Sequence, residues 1–296
     1  MAKAKRRLTE FIERSTGELK REKAPDARTL GFLYHSPFGK LPLALLAKRK
    51  FLSSLSGRFM DSRWSKAYIS AFVKAQDVNL DEFEGEGRYK TFNDFFCRKL
   101  KPGVRPISEG IISPADGKIL AFEQVETCRK FFVKGYEFDV CEFLQNDALA
   151  KKYDQSPMII IRLAPADYHR FHFPSNGHIG KSVKVSGSYY SVSPIALDKK
   201  IEIFCENKRE YSVLSTHDYG DILICEVGAT LVGSVVQTYQ PDSEAVKGLE
   251  KGYFRFGGSS IVLLFEKGKV TLAKDLIENS KAGLETTIRM GENIGF

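Results

Sequence analysis

The chain has 296 residues, of which 43% are hydrophobic and 28% are charged, so it can build one large or two ordinary folded domains. This composition excludes an intrinsically disordered chain, and no apolar run approaches the 18 residues that predict a membrane-spanning helix. The five cysteines form no CxxC pair, so a cysteine zinc site is not expected.

The positive charge is concentrated near the N-terminus. Residues 1–75 contain 17 basic and 6 acidic residues, a net charge of +11, whereas the rest of the chain carries a net charge of −3. Such a segment can bind nucleic acid, bind anionic lipid or simply face water. The sequence has no zinc-finger or RNP signature, so we expect no nucleic acid partner.

Residues 41–75 combine apolar and basic side chains at roughly helical spacing, and Trp64 and Tyr68 suit a polar–apolar boundary. This pattern predicts a basic amphipathic helix lying on an anionic membrane, but an ordinary helix docked on the domain fits it equally well. We expect residues 1–90 to form a helical membrane-associating region that begins with a charged helix over residues 3–23. The apolar and basic positions of the amphipathic pattern are Leu45, Leu46, Leu52, Leu55, Phe59, Ile69, Phe72, Val73, Lys48, Arg49, Lys50, Arg58, Arg63 and Lys66.

Residues 91–296 have a different sequence pattern, dominated by short β-like runs. TFNDFFCRKLKPGVRPI (91–107) predicts a short helix followed by a Pro/Gly turn, and another helix is expected around residues 140–152. The predicted fold class is therefore α+β, a helical N-terminal region followed by a β-rich catalytic domain over residues 91–296 with mostly antiparallel strands. The predicted β-runs are 118–122, 158–163, 184–186, 200–204, 221–227, 230–239 and 261–265.

Two polar clusters could carry chemistry. SPADGKI (113–119) puts Asp116 in a turn before a strand, where an aspartate most often caps its own backbone. His169 and His172 follow an apolar strand, and three of the five histidines of the chain fall within ten residues there. This clustering favours acid–base chemistry, whereas a metal site would need a third ligand that is not visible.

A third cluster contains Gly257, Gly258, Ser259 and Ser260, between an aromatic run and an apolar strand. Two glycines usually mark a bend, and the segment matches neither GxSxG, nor GxGxxG, nor a Walker A loop. A serine directly after a glycine allows another reaction. Because Gly258 has no Cβ, the Ser259 hydroxyl can attack the preceding carbonyl if a nearby base activates it.

Together and in this order, six segments from about residue 90 to the end resemble the phosphatidylserine decarboxylase family of pyruvoyl-dependent lyases. Gly-Gly-Ser-Ser stands where this family usually has Leu-Gly-Ser-Thr, and the distance to the following strand makes Ser259, not Ser260, the reactive serine. Leu249 stands where an acidic residue is frequent, which affects local contacts only. The segments are TFNDFFCRKLKPGVRPI, SPADGKI, ADYHRFHFP, SVSPIAL (191–197), VGATLVGSVV (227–236) and KGLEKGYFRFGGSS with its following strand.

The resemblance implies that Asp116, His172 and Ser259 form a triad for self-processing. In this triad His172 takes the Ser259 proton and can serve both stages of the chemistry, while Asp116 orients and stabilises the imidazole. Cleavage between Gly258 and Ser259 gives a β chain of residues 1–258 and an α chain of residues 259–296, named here the large chain and the small chain. Ser259 becomes a pyruvoyl cofactor at the start of the small chain, and His169 acts in decarboxylation and protonation.

The resemblance also implies the overall activity. The head-group amine of phosphatidylserine forms a Schiff base with the pyruvoyl group, and loss of carbon dioxide leaves phosphatidylethanolamine. It implies a homodimer, and substrate held in an anionic membrane. We expect the protein to be peripheral on the cytoplasmic face of a bacterial inner membrane, and we expect no metal.

Three other interpretations fit parts of the sequence. In a serine hydrolase, Ser259 would keep its hydroxyl, although no hydrolase elbow is present. A lipid-binding protein without activity would rely on the basic N-terminal segment alone. A pyruvoyl enzyme for a free amino acid would share the chemistry, but the basic amphipathic segment favours a lipid.

Overall fold

The computed structural model describes residues 10–22, 57–85, 87–125, 131–133, 136–187, 207–228 and 234–296, and these are mostly β-sheet. The helices are α1 (Ala67–Gln76), α2 (Phe92–Phe96), α3 (Val140–Leu144), α4 (Asp147–Lys152) and α5 (Lys274–Lys281), with 3-10 helices at Arg63–Lys66 and Leu80–Glu82. The strands are β1 (Glu10–Ile12), β2 (Leu19–Arg21), β3 (Ile111–Ile112), β4 (Gly117–Val125), β5 (Phe131–Val133), β6 (Tyr136–Phe138), β7 (Ser156–Leu163), β8 (Arg170–His172), β9 (Gly177–Ile179), β10 (Val183–Val185), β11 (Arg209–Ser215), β12 (Asp221–Gly228), β13 (Val235–Gln237), β14 (Ser243–Ala245), β15 (Glu250–Phe254), β16 (Ser259–Leu264), β17 (Glu285–Ile288) and β18 (Asn293–Gly295).

A large mixed sheet organises the described part of the chain. Its eleven strands follow the order β14-β9-β11-β12-β16-β7-β4-β17-β1-β2, and β10 pairs with β11. Neighbouring strands in it are antiparallel except β1 and β17, which run parallel. Smaller sheets are formed by β13-β15-β8, β18-β3 and β5-β6. The predicted predominance of antiparallel strands is confirmed.

The central strands β7 and β16 are buried along their whole length because both faces of the sheet are covered. Successive side chains point to opposite faces. Val262 and Leu264 therefore pack into a core beneath α3 and α4, which we name the first core. Ile261 and Leu263 pack into the second core, between the sheet, the β13-β15-β8 sheet and α5.

Helix α2 confirms the short helix predicted after residue 91. Thr91 caps its N-terminus by accepting a hydrogen bond of 3.0 Å from the backbone of Asp94. Its aromatic side chains form a separate cluster with α1, and Phe96 at its C-terminal end is fully buried. This cluster fixes the segment that carries Phe96 and Arg98 to the functional site described below.

The helix expected around residues 140–152 is two helices, α3 and α4. Gln145 adopts a left-handed backbone with φ of 50° between them. Asn146 then caps α4 by accepting a hydrogen bond from the backbone of Leu149. An asparagine side chain competes with the helical backbone for hydrogen bonds, so the helix restarts at this residue.

The helix expected over residues 3–23 is wrong for residues 10–22. This stretch forms a hairpin of β1 and β2, closed by a turn in which Gly17 has a φ of 72°. Pairing of β1 with β17 extends the large sheet, so long-range backbone hydrogen bonds outweigh the local helical preference of a charged segment.

Several expectations fall outside the described residues. They include positions 45–55 of the amphipathic pattern, the predicted β-run 200–204, part of the run 230–239 and the segment 191–197. The part of the pattern over residues 67–75 lies within α1 and is helical. Among the described helices, none has the length and apolar character that crossing a bilayer requires.

Candidate active site

Ser259 is the first residue of β16 and is fully buried. Residues directly opposite each other in a sheet point to the same face, and Ser259 lies opposite Leu163 of β7. Leu163 belongs to the second core, so the Ser259 hydroxyl points there. Ser260 lies opposite Val227 and points to the first core, where its buried hydroxyl has no hydrogen-bond partner. The alternation of the strand therefore distinguishes the two serines.

His169 contacts the Ser259 hydroxyl directly. Its Nδ1 lies 3.0 Å from Ser259 Oγ, and its Nε2 lies 3.1 Å from the carbonyl oxygen of Ala164. A carbonyl oxygen only accepts, so Nε2 carries the ring proton and Nδ1 accepts a hydrogen bond from the Ser259 hydroxyl. The ring also stacks on Phe96, with 3.9 Å between centroids. The imidazole is thus held in one tautomer against the serine.

The surroundings of His169 disfavour its charged form. Burial lowers its pKa to about 3, and the nearby Arg98 guanidinium contributes to the same lowering. Arg98 is itself held under the turn that carries His169, where its Nη2 donates to the carbonyls of Ala166 and Asp167 at 2.7 and 3.0 Å. His169 is therefore neutral at physiological pH and suited to orient a hydroxyl.

His172 on β8 has a different set of partners. Its Nδ1 lies 2.9 Å from the carbonyl oxygen of Gly248, and its Nε2 lies 2.9 Å from the hydroxyl of Tyr168. Because the carbonyl only accepts, Nδ1 carries the proton and Nε2 accepts from Tyr168. Burial lowers the pKa of His172, while the Gly248 carbonyl, Glu250 and Asp116 act in the opposite direction. The nearby Arg170 guanidinium adds to the lowering, so both histidines have lowered pKa values, but within the described ranges only His172 has carboxylates near it.

Asp116 lies in the turn before β4 and binds Arg105. Its two carboxylate oxygens accept from Arg105 Nε at 3.3 Å and Nη2 at 2.7 Å, and the backbone N–H of Met290 donates to it at 2.7 Å. In the described part of the chain, no hydrogen bond joins Asp116 to His172 or His172 to Ser259. The structure therefore brings Ser259 together with His169 and leaves the expected triad unassembled.

A polar cavity of about 640 Å³ lies beside Asp116. Charged side chains of both signs line it, including Glu82, Arg105 and Lys118, and Tyr168 forms part of its wall. Ser259, His169 and His172 are not among its lining residues, whereas Tyr168, which is hydrogen-bonded to His172, is.

Three side chains that contact the candidate residues were missed by the sequence interpretation: Phe96, Arg105 and Tyr168. Tyr168 lies four residues before His172 inside a quoted segment, and an aromatic hydroxyl next to a histidine pair was a usable signal. The pairing of Arg105 with Asp116 depends on how the chain folds back, and no local pattern reports it. Within the ranges that the structure describes, no group of three or more His, Cys, Asp or Glu side chains could hold a metal ion.

Comparison with known proteins identifies the family. The family model described as phosphatidylserine decarboxylase matches residues 92–296. A protein of Fusobacterium nucleatum named phosphatidylserine decarboxylase proenzyme is 51% identical over 290 residues, which cover 97% of each chain. Proteins of the same name from Clostridium novyi and Clostridium botulinum are 47% and 43% identical, covering 93% and 98% of this chain and 94% and 99% of their own. The chain therefore belongs to the phosphatidylserine decarboxylase family and is an enzyme of this type.

Proposed function

We propose that this chain is a proenzyme that cuts itself between Gly258 and Ser259 and then decarboxylates phosphatidylserine to phosphatidylethanolamine. The observation that carries the proposal is the Ser259 hydroxyl, buried, directly after a glycine and 3.0 Å from a neutral imidazole. The word proenzyme in the names of the relatives supports the self-processing step.

In self-processing, Ser259 Oγ attacks the carbonyl carbon of Gly258. The peptide C–N bond breaks, the freed nitrogen takes a proton, and an ester joins Gly258 to the serine oxygen. Loss of the Ser259 Cα proton then expels Gly258 as a carboxylate and leaves a dehydroalanine. This residue tautomerises to an imine, and one water molecule releases ammonia and leaves a ketone at the start of the small chain.

The two histidines have different proton-transfer roles in this proposal, and Asp116 supports one of them. His172 takes the Ser259 proton, because Glu250 and Asp116 favour its charged form. This step requires His172 to exchange its hydrogen bond with Tyr168 for one with Ser259. His169 orients the serine hydroxyl before the cut and holds or returns a proton at the substrate Cα afterwards, since it contacts the residue at which the reaction occurs.

The side chains around Ser259 fit a pyruvoyl group, because the group would arise from Ser259 itself in a buried site beside a neutral imidazole. Such a group supplies an electrophilic carbonyl that binds the substrate amine and accepts the electron pair left by carbon dioxide. The small chain stays bound in our proposal, because β16 pairs along its whole length with both β12 and β7.

Membrane attachment is part of the proposal. Trp64, just before α1, is 83% exposed, and Tyr68, in the first turn of α1, is 57% exposed. Arg63 and Lys66 are exposed beside them. Exposed aromatics among basic residues suit the interface of an anionic membrane that contains phosphatidylserine. We propose a peripheral location on the cytoplasmic face of a bacterial inner membrane, and a homodimer whose mass size-exclusion chromatography with light scattering would measure.

The experiment compares Ser259→Ala with its neighbour Ser260→Ala. Both variants remove one buried hydroxyl from β16, but only Ser259 faces His169. We expect the first to stay uncut on a denaturing gel and to release no carbon dioxide from phosphatidylserine vesicles. The second should be cut and active. Equal behaviour of the two variants would contradict the assignment.

A serine hydrolase is the second candidate, because a serine bonded to a neutral histidine is also the resting state of a hydrolytic nucleophile. In that case intact protein would react with a fluorophosphonate probe at Ser259. The complete burial of Ser259 favours attack on its own backbone instead.

A further inference from the structure

Tyr168 is a buried residue that neither takes nor gives a proton in the proposed chemistry. Its side chain is 3% exposed, and its ring stacks on His172 with 5.7 Å between centroids and an angle of 30° between planes. Phe83 contacts the same tyrosine, at 6.3 Å between centroids. The ring is therefore fixed with its hydroxyl 2.9 Å from His172 Nε2.

The direction of this hydrogen bond follows from the other side of the imidazole. The Gly248 carbonyl accepts a hydrogen bond from the protonated Nδ1. Nε2 therefore offers a lone pair, to which the Tyr168 hydroxyl donates. Burial raises the pKa of Tyr168, which keeps this donor protonated. The nitrogen of His172 that could take a proton is thus occupied in the uncut chain.

The other two members of the expected triad are occupied as well. Asp116 is bound by Arg105 and by the backbone of Met290, and the Ser259 hydroxyl is bound by His169. Each group has a well-formed partner that is not a member of the triad. In the uncut chain, each of these hydrogen bonds must therefore be exchanged before the triad can form.

We propose that Tyr168 is a positioning residue that restrains self-processing by holding His172 Nε2 in a hydrogen bond that must break before His172 can reach Ser259. The inference rests on the proposed self-cleavage, and on His172 as its base. Tyr168 thereby sets the rate at which the proenzyme matures.

The test is a pulse–chase of the full chain made by cell-free translation, with the uncut and cut forms separated on denaturing gels. Tyr168→Phe keeps the ring and removes the donor, so we expect the cut to form about three- to tenfold faster, the equivalent of one net hydrogen bond. Tyr89→Phe is the matched control, since Tyr89 is also buried but donates to the backbone of Glu84. The control should mature at the rate of the unmodified chain.

A second variant keeps the hydroxyl. Replacing Tyr168 with 3-fluorotyrosine makes the phenol more acidic and a stronger donor, so we expect slower cutting. The pH profile gives a readout that packing alone would not move. The charged groups facing His172 are Glu250 on β15, Asp116 before β4 and Arg170 on β8, and all remain in Tyr168→Phe. The Tyr168 hydroxyl donates to the neutral imidazole, so its removal should raise the pKa of His172. The fall of the cutting rate on the acid side of the pH profile should therefore begin at higher pH.

Each outcome decides the inference. Faster cutting by Tyr168→Phe together with slower cutting by the fluorinated chain supports it. An unchanged or slower rate for Tyr168→Phe overturns it, because the hydroxyl would then be neutral or helpful to maturation. If the unmodified chain is never cut, the proposed function itself fails, and that result is visible on the same gel.

Discussion

The two histidines of the site differ in the charges that surround them. Among the charged groups of the described residues, His169 faces the Arg98 guanidinium alone, whereas His172 has two carboxylates, Glu250 and Asp116, near it as well as the Arg170 guanidinium. A base that becomes cationic in a reaction needs nearby negative charge, and a residue that only orients a hydroxyl does not. The hydrogen bond in the uncut chain supports our proposal that His169 orients Ser259. The carboxylates near His172 support our proposal that His172 receives the Ser259 proton.

Single alanine variants separate these roles. We expect His172→Ala to remain a single chain on a denaturing gel, because no other side chain takes the Ser259 proton with support from carboxylates. We expect His169→Ala to be cut, and its rate of phosphatidylserine decarboxylation to be at least about 100-fold lower than that of the unmodified enzyme. The opposite pattern, with His169→Ala uncut and His172→Ala cut, would show that the histidine bonded to Ser259 at rest is the base.

At this scale the sequence was sufficient to identify Ser259 and both histidines as candidates. The alternation of β16 confirms that Ser259, and not Ser260, faces the histidine segment. The hydrogen bond from the Met290 backbone to Asp116 could not be predicted, because the two residues are 174 positions apart along the chain. The roles of the four candidates remain predictions.

A buried ion cluster links the N-terminal hairpin to the elements of the small chain. Arg162 of β7 binds Glu22, which follows β2, at 2.6 Å and Glu285 of β17 at 2.8 Å. Because these groups are buried, removing one of them costs more free energy of unfolding than removing a member of an exposed pair does. The hairpin and β17 are thus joined by charge as well as by strand pairing, and the same ion pairs join both to β7, which pairs with β4 and β16.

Removing Arg162 should destabilise the fold strongly. In the uncut Ser259→Ala background, Arg162→Ala removes a buried guanidinium that binds two carboxylates, and Lys118 at 3.6 Å from Glu22 replaces it only in part. We expect the free energy of unfolding to fall by about 3–5 kcal/mol. Urea unfolding followed by circular dichroism measures this change. The control Lys281→Ala breaks an exposed pair with Glu123 and should cost less than about 1 kcal/mol. Equal effects of the two variants would contradict a structural role for the cluster.

The elements differ in how well the sequence predicted them. Strands such as β7 and β16 were predictable because their continuous apolar runs need two covered faces. The hairpin at residues 10–22 was not, because its strands are three residues each and depend on a partner strand near the C-terminus. Short elements with distant partners leave little local pattern in the sequence.

The membrane-facing surface of the whole molecule can be tested directly. Trp64→Ala removes the most exposed large aromatic side chain beside α1, so we expect weaker sedimentation with phosphatidylserine vesicles and a binding that salt weakens further. Val183→Ala is the control, because Val183 is 46% exposed on β10. If both variants sediment like the unmodified protein, the aromatic and basic surface is an ordinary solvent-facing one.

Stability of the whole molecule should depend on pH through His169. Its pKa is about 3 in the folded chain and about 6.5 in an unfolded one, so the unfolded chain binds the proton more tightly. This contribution is complete above about pH 6.5 and is lost as the pH falls towards 3. The test uses the Ser259→Ala background, in which burial and Arg98 still lower the pKa of His169. There, His169→Gln should reduce by a few kcal/mol the amount of stability that the protein loses between pH 7.5 and acid pH. Urea unfolding at pH 4.5, 5.5 and 7.5 measures this, and exposed His217→Gln should not change the slope in that direction.

The α+β class and the antiparallel character of the sheet were predictable at the scale of the molecule, because β-like runs fill the chain after residue 108. The joining of eleven strands into one sheet was not, since it depends on pairing between distant segments. The family followed from several weak segments in a fixed order.

Mass spectrometry of the purified protein under denaturing conditions tests the central claim most directly. We expect two polypeptides, residues 1–258 with a free carboxylate and residues 259–296 whose first residue has lost its amine and carries a ketone. A single unbroken chain that still converts phosphatidylserine to phosphatidylethanolamine at full rate would contradict the account.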